Sequence, residues 1–109
     1  MAAYEVRHFR ATDGTDIFGE WFDALRDRRA QQRIAARVDR LTLGLFGDVK
    51  ALRDGVYELR IDHGPGYRVY YAIAGRSVML LLCGGDKRTQ RADIARAVGY
   101  WLEFQERRR

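Results

Sequence analysis

Four basic side chains are spaced so that a folded chain could bring them to one site. They are Arg60, Arg68, Lys87 and Arg88, with Tyr70 beside them. Cleavage of RNA through its own 2′-hydroxyl needs a proton acceptor, stabilisation of charge on the phosphorane, and neutralisation of the leaving oxygen. Arginine and lysine can supply the last two electrostatically. The sequence offers no credible metal-ligand cluster, so we expect neither a metal nor another cofactor.

The same arginines also have a purely structural interpretation. The segment VYELRID alternates, which places Glu58, Arg60 and Asp62 on one face of a strand. Arg60 and Arg68 could therefore form ion pairs with Glu58, Asp62 and Asp54 on a solvated face of a sheet. Both interpretations remain open from spacing alone.

Two readings also apply to the segment GGDKRTQRADI. The glycines can end a strand and Thr89 can cap a helix. Equally, a helix N-terminus next to Lys87 and Arg88 is a suitable place for a phosphate. The two readings are compatible, and the spacing of a P-loop is absent.

The two histidines differ in their surroundings. His8 lies in the first predicted strand and is interpreted as structural. His63 begins the turn HGPG near the proposed basic groove, so it is either a general base or an exposed turn residue. Two separated histidines do not make a zinc site.

Charge and composition limit the partners and the compartment. The chain of 109 residues has 20 Lys and Arg against 15 Asp and Glu, a net charge of +5. This balance favours phosphate polymers, acidic proteins or acidic lipid surfaces as binding partners.

The single cysteine, Cys83, lies in an apolar run, and a lone cysteine excludes an internal disulfide. With no long apolar segment and no signal-peptide pattern, we expect one soluble cytoplasmic domain over residues 1–109 and no membrane contact.

Further basic residues are candidates for RNA contacts. A helix carries Ile34, Val38, Leu41 and Leu45 on one stripe, and its other faces hold Arg29, Arg33, Arg37 and Arg40. These arginines form either a solvated face or an RNA-binding face, with the RNA-binding set taken as Arg33, Arg37, Arg40, Lys50 and Arg53.

The elements that must position these side chains follow from periodicity. A first strand over Tyr4–Phe9 is followed by a helix with Ile17, Phe18, Trp21, Phe22 and Leu25 on one stripe, with Asp13 or Thr15 as its cap. The helix described above comes next, and the two are predicted to form a hairpin. Residues 44–55 are predicted as a loop.

The second half of the chain is predicted to form a sheet. Three antiparallel strands, VYELRID, YRVYYAIA and SVMLLLC, are joined by the turns HGPG and Gly75–Arg76. A last helix from about Asp93 has Ile94, Val98, Trp101 and Leu102 on its stripe. We expect an α+β fold with all helices on one face of the sheet, and with Arg60, Arg68 and Tyr70 on the other.

The segment LRDGVYELRID…GPGYRVYYAIAGRSVMLLLCGGDKRTQRADIARA resembles the RelE/ParE superfamily of bacterial toxins. It is most similar to the HigB-like branch, the addiction module killer proteins. The motifs that carry this are LRDGVYELRI, GYRVYY, LLLCGGDK and the DIARA helix. The resemblance implies a RelE-like toxin of a type II toxin–antitoxin system that cleaves mRNA on the ribosome without a metal.

The resemblance also implies roles and partners. Arg68 matches the strand arginine that contacts the scissile phosphate, Arg60 a basic position on the preceding strand, and Lys87 and Arg88 the basic pair after the last strand. A lysine of RelE is replaced by Glu58, and its C-terminal tyrosine falls near Ile94. The side chains that could fill that gap are Tyr70, Asp93 and His63.

The implied partners are a cognate helix-turn-helix antitoxin, the ribosome and mRNA, with operator DNA contacted only through the antitoxin complex. Two alternatives come from other functional classes. ParE-like members of the superfamily inhibit DNA gyrase without catalysis, and a third possibility is an inactive module that only binds antitoxin or operator.

Overall fold

A computed structural model describes residues 4–109. The chain forms β1 (Glu5–His8), α1 (Ile17–Asp23), α2 (Arg28–Thr42), β2 (Val49–Ala51), β3 (Tyr57–Ile61), β4 (Tyr67–Ala74), β5 (Val78–Asp86), a single 3₁₀ turn (Lys87–Thr89) and α3 (Gln90–Arg107). The strands form one sheet in the order β1-β5-β4-β3-β2. β1 runs parallel to β5, and the other neighbours are antiparallel. The predicted α+β class and the three-stranded meander are confirmed.

The helices cover both faces of the sheet, so the prediction that they share one face is wrong. On one face α1 and α2 bury Phe18, Ile34 and Leu41 against the strands. On the other face α3 buries Val98 and Trp101. The physical reason is that β4 and β5 are apolar on both faces, and one layer of helices would leave half of that surface in water.

Three boundaries differ from the sequence prediction. The loop predicted over residues 44–55 contains the edge strand β2. α2 ends at Thr42, which leaves Leu45 exposed rather than on the buried stripe. α3 begins at Gln90 instead of Asp93, and its Leu102 points to solvent while Trp101 faces the sheet.

Aspartates begin both N-terminal helices. The Asp16 carboxylate accepts a hydrogen bond from the Gly19 amide at 3.0 Å, so neither Asp13 nor Thr15 is the cap of α1. The Asp27 carboxylate accepts from the amides of Arg29 and Ala30 and begins α2. Each cap satisfies amides that the first turn of a helix leaves without partners.

His8 has a structural role in the same region, as the sequence predicts. Its Nδ1 atom lies 2.9 Å from the Asp16 carboxylate, and its ring packs edge-on against Phe18. It therefore links β1 to the start of α1. Among the described residues, no helix is both long and apolar enough to cross a membrane.

The close packing of α1 on β5 predicts a specific sensitivity. A Cβ atom on Gly84 would lie 2.2 Å from the Trp21 ring. Gly84→Ala should therefore lower the free energy of unfolding by about 1–3 kcal/mol, measured by urea unfolding. Gly99→Ala is the control, because α3 has open space at Gly99, and it should raise stability by roughly 0.5–1 kcal/mol. Equal stability of Gly84→Ala and the wild type would contradict this packing.

Candidate functional site

Two arginines lie directly opposite each other on neighbouring strands. Arg60 of β3 pairs with Arg68 of β4, next to the pair formed by Glu58 and Tyr70. Residues two apart along a strand share a face, so all four side chains lie on the α3 side of the sheet. Two cations in direct cross-strand positions repel each other, so this arrangement needs a compensating charge.

Glu58 supplies that charge from inside the protein. Its side chain is fully buried, and its carboxylate accepts hydrogen bonds from Arg60 Nε at 3.0 Å, the Tyr70 hydroxyl at 3.2 Å and Gln90 Nε2 at 2.7 Å. Arg68 Nε lies 3.8 Å from the same carboxylate. Burial acts to raise the pKa of Glu58. The hydrogen bonds from Gln90, Arg60 and Tyr70 and the charge of Arg68 outweigh burial, and the pKa lies below its usual value.

The Arg68 side chain is mostly buried, which is unusual for a cation. The side chain is 13% exposed, and its Nε atom is buried without a hydrogen-bond partner among residues 4–109. One terminal nitrogen, Nη1, donates to the Tyr67 carbonyl at 3.2 Å. Arg60 is more open at 33% exposure, and its Nη1 lies 3.9 Å from Asp48. Glu58 therefore binds the inner edge of the Arg60 guanidinium by a hydrogen bond and that of Arg68 by charge alone.

The outer ends of these arginines reach an open depression of about 420 Å³, here called the arginine depression. It is lined by Asp48, Arg60, Asp62, Gly64, Pro65, Gly66, Arg68 and Lys87. Gly66 has φ +84°, and a Cβ there would lie 3.5 Å from Arg68 Nη1 and 3.6 Å from Lys87. The Lys87 amide donates to the Gly66 carbonyl at 2.9 Å, which ties the start of the 3₁₀ turn to this wall.

Three of the four basic residues predicted from sequence meet here, and the fourth does not. Arg60, Arg68 and Lys87 line the arginine depression. Arg88 is 78% exposed, pairs with Asp86 at 2.8 Å and faces a separate hollow at the start of α3. Consecutive residues diverge because the 3₁₀ turn rotates them to different sides. Thr89 occupies the N-cap position of α3 but makes no side-chain cap; its hydroxyl hydrogen-bonds Asp93.

The three candidates for the missing acid–base group do not line this depression. The Tyr70 hydroxyl is buried, and burial together with the Glu58 charge raises its pKa strongly. The buried Asp93 carboxylate accepts from the Thr89 hydroxyl at 2.5 Å and pairs with Arg96 at 3.1 Å.

His63 also turns away from the arginines. Its Nε2 atom lies 3.0 Å from the Asp27 carboxylate, which caps α2. The hydrogen bond to His63 lowers the pKa of Asp27. His63 therefore links the β3–β4 turn to α2.

Glu58 and the two aspartates of the depression were not predicted as functional residues. The structural alternative expected Glu58, Asp62 and Asp54 to pair with the two arginines on a solvated face. The contacts confirm Glu58 alone, and its side chain is buried instead of solvated. Asp54 pairs with Arg53 at 3.2 Å, and among residues 4–109 Asp62 forms no ion pair with either arginine. The strand alternation was the signal for Glu58. Asp48 comes from the segment predicted as a loop, where no pattern relates it to Arg60.

The arginines of α2 lie beside this site. Arg33, Arg37 and Arg40 line a second depression of about 300 Å³ with Ala36, Ile61 and Asp62. Asp62 lines both depressions, so they are neighbours. Arg37 also has a structural task, because it donates to the carbonyls of Arg60 at 2.8 Å and Phe46 at 3.3 Å.

The remaining predicted RNA contacts are farther along the sheet. Lys50 lies on β2 opposite Glu58, and Arg53 follows that strand. Neither lines the two depressions.

The arrangement is suited to a phosphate group. Guanidinium groups bind phosphate oxygens through paired hydrogen bonds, and two of them with an adjacent ammonium can surround one anion. Asp48 and Asp62 place carboxylates at the same opening, where they can accept a proton. Within residues 4–109, no group of three or more His, Cys, Asp or Glu side chains is arranged to hold a metal ion.

Comparison with known proteins gives two matches. Residues 20–97 match the family described as phage-derived protein Gp49-like (DUF891). An uncharacterized protein of Haemophilus influenzae is 50% identical over 83 residues, which cover 76% of this chain and 84% of the relative. Residues 20–97, which match the family, contain Arg60, Arg68, Glu58 and Lys87.

The buried charge of Glu58 predicts a pH-dependent stability. Because the pKa of Glu58 is lower in the folded chain than in the unfolded one, its contribution is complete above the unfolded pKa and is lost as the pH falls through the folded pKa. Wild type should melt at a higher temperature than Glu58→Gln at pH 7, and the gap should narrow as the pH falls below the unfolded pKa of about 4.3. A gap that stays constant from pH 7 to about pH 3 would contradict a charged, stabilising Glu58.

Proposed function

Because this chain belongs to the phage-derived Gp49-like family, which is associated with toxin–antitoxin systems, we propose that it is a type II toxin that cleaves mRNA on the ribosome. The observation that carries the proposal is the arginine depression, which Arg60, Arg68 and Lys87 line together. The proposal includes membership of the HigB-like branch of the RelE/ParE superfamily. It also includes a cognate helix-turn-helix antitoxin as partner.

The proposed reaction is an internal transesterification. The 2′-hydroxyl oxygen attacks the neighbouring phosphorus, the bond to the 5′-oxygen breaks, and the products are a 2′,3′-cyclic phosphate and a 5′-hydroxyl. Arg68 stabilises the charge that develops on the phosphorane oxygens, because its side chain is less exposed to water than that of Arg60. Arg60 positions the backbone, and Lys87 neutralises the leaving oxygen.

Proton acceptance is assigned to the carboxylates of the depression. Asp48 and Asp62 line it, whereas Tyr70 and Asp93 are buried and His63 is paired with Asp27. Arg88 lies outside the depression, and its exposed side chain is assigned to a phosphate farther along the strand. Arg33 and Arg40 extend the basic surface toward the ribosome-bound RNA.

Arg68→Ala should abolish cleavage without unfolding the protein. We expect a rate at least about 100-fold below wild type, because a positioned donor to the transition state is lost. The assay is primer extension on a reporter mRNA in cell-free translation, with and without ribosomes. Arg76→Ala is the matched control, since Arg76 lies in the turn at the other end of β4 and should retain full activity.

Two results would contradict the assignment. Cleavage by Arg68→Ala at the wild-type rate would remove Arg68 from the reaction. Intact mRNA with wild-type protein, together with inhibition of DNA supercoiling, would identify the chain as a gyrase inhibitor instead.

The arginines of α2 should act on binding rather than on chemistry. Arg33→Ala/Arg40→Ala should raise the ribosome concentration for half-maximal cleavage several-fold and weaken its salt dependence, because phosphate contacts release counterions. The rate at saturating ribosomes should stay within about threefold of wild type. Arg37 is left intact because it links α2 to β3. A lower saturating rate with unchanged half-saturation would contradict this division.

A further inference from the structure

Building on the proposed function, we infer that Glu58 is a positioning residue for cleavage. Its buried carboxylate accepts a hydrogen bond from Arg60 Nε and forms an ion pair with Arg68, so that the terminal nitrogens of both arginines face the scissile phosphate. Glu58 does not touch the RNA in this arrangement, and it acts through the two arginines.

One carboxylate serves both arginines. Its Oε1 atom accepts from Arg60 Nε at 3.0 Å, and its Oε2 atom lies 3.8 Å from Arg68 Nε. The terminal nitrogens instead lie near residues that line the arginine depression, with Asp48 next to Arg60 and Gly66 next to Arg68. Glu58 thus hydrogen-bonds the inner edge of the Arg60 guanidinium and lies within ion-pair distance of the inner edge of Arg68, and both arginines line the opening.

Two further residues hold the Glu58 carboxylate in place. Tyr70 and Gln90 donate to its Oε2 atom at 3.2 Å and 2.7 Å, and the side chain is fully buried. The lowered pKa of Glu58 keeps it ionised at neutral pH. It is therefore a fixed negative charge beside the two arginines, and it does not itself line the depression.

The depression also contains carboxylates that can compete with Glu58 for the two arginines. Asp48 and Asp62 line the same opening, and an arginine released from Glu58 can turn outward to pair with either carboxylate. Such a pair would neutralise the cations that must face the phosphorane. Donors fixed before the reaction stabilise the transition state more than the ground state, so holding the arginines in place raises the rate more than the affinity.

Glu58→Gln tests this role, because glutamine keeps the size of the side chain and removes its charge. Single-turnover cleavage of ribosome-bound mRNA should fall at least about 30-fold at saturating ribosomes, while half-saturation changes less than about threefold. Leu59→Val is the control. Leu59 is the next residue of β3, buried on the opposite face, so this variant should melt at a lower temperature and keep the wild-type rate.

A second measurement reports the arginines without any RNA. In proton–nitrogen NMR spectra, the Nε–Hε groups of Arg60 and Arg68 are assigned with Arg60→Lys and Arg68→Lys. The Arg60 group, which donates to Glu58, should exchange with water at least about tenfold faster in Glu58→Gln. The Leu59→Val spectrum should retain the wild-type exchange at both groups. If Glu58→Gln does not fold, Glu58→Asp replaces it, because aspartate keeps the charge but has a shorter reach.

The outcomes separate this inference from the proposed function. Unchanged arginine exchange in the Glu58 variant overturns the inference, whatever the activity. Faster exchange together with a wild-type cleavage rate also overturns the inference, because the contact between Glu58 and the arginines would then have no effect on the reaction. If the wild-type protein cleaves no mRNA, the proposed function fails and the catalytic part of the inference fails with it. The exchange rates still decide whether Glu58 holds the arginines.

Discussion

The structure of the site depends on one ionic interaction: the buried carboxylate of Glu58 compensates two arginines on adjacent strands. A buried carboxylate without partners would take up a proton, and two facing guanidinium groups without a counter-charge would repel each other. The carboxylate and the two guanidinium groups therefore stabilise each other's charge. The burial of Glu58 and the low exposure of Arg68 are two aspects of the same arrangement.

The position of α3 makes this interaction possible. Gln90, the first residue of α3, donates to Glu58, and Trp101 closes the other end of the same face. The sheet face is thus apolar beneath the middle of the helix and polar beneath its start. The arginine depression opens at this polar end, where the 3₁₀ turn meets the β3–β4 turn.

Local sequence patterns predicted most of the helices and strands, but the predicted arrangement of the helices on one face of the sheet was wrong. Alternation along VYELRID and YRVYYAIA placed Arg60 and Arg68 on one face, and the structure confirms their direct pairing. The side on which α3 packs is decided by long-range contacts, and no local pattern in its sequence specifies it. The apolar pattern of β5 on both faces was nevertheless evidence that both faces are covered.

The same distinction explains which site residues could be found from sequence. Lys87 was predicted as a site residue because it follows a strand that ends in glycines. Arg88 has the same local pattern but lines a separate hollow. Tyr70 shares a face with the arginines, yet only the packing of α3 shows that this part of the face is buried. Asp48 needed the pairing of the short strand β2 to be placed near Arg60.

In the proposed reaction, the arginine depression catalyses attack by a 2′-hydroxyl on the adjacent phosphate. The most direct test is the chemistry of the RNA ends produced from ribosome-bound mRNA, determined by mass spectrometry of the fragments. This reaction should leave a 2′,3′-cyclic phosphate or its hydrolysed 3′-phosphate on one fragment and a 5′-hydroxyl on the other. Fragments with a 3′-hydroxyl and a 5′-phosphate would contradict it, because those ends require an external nucleophile.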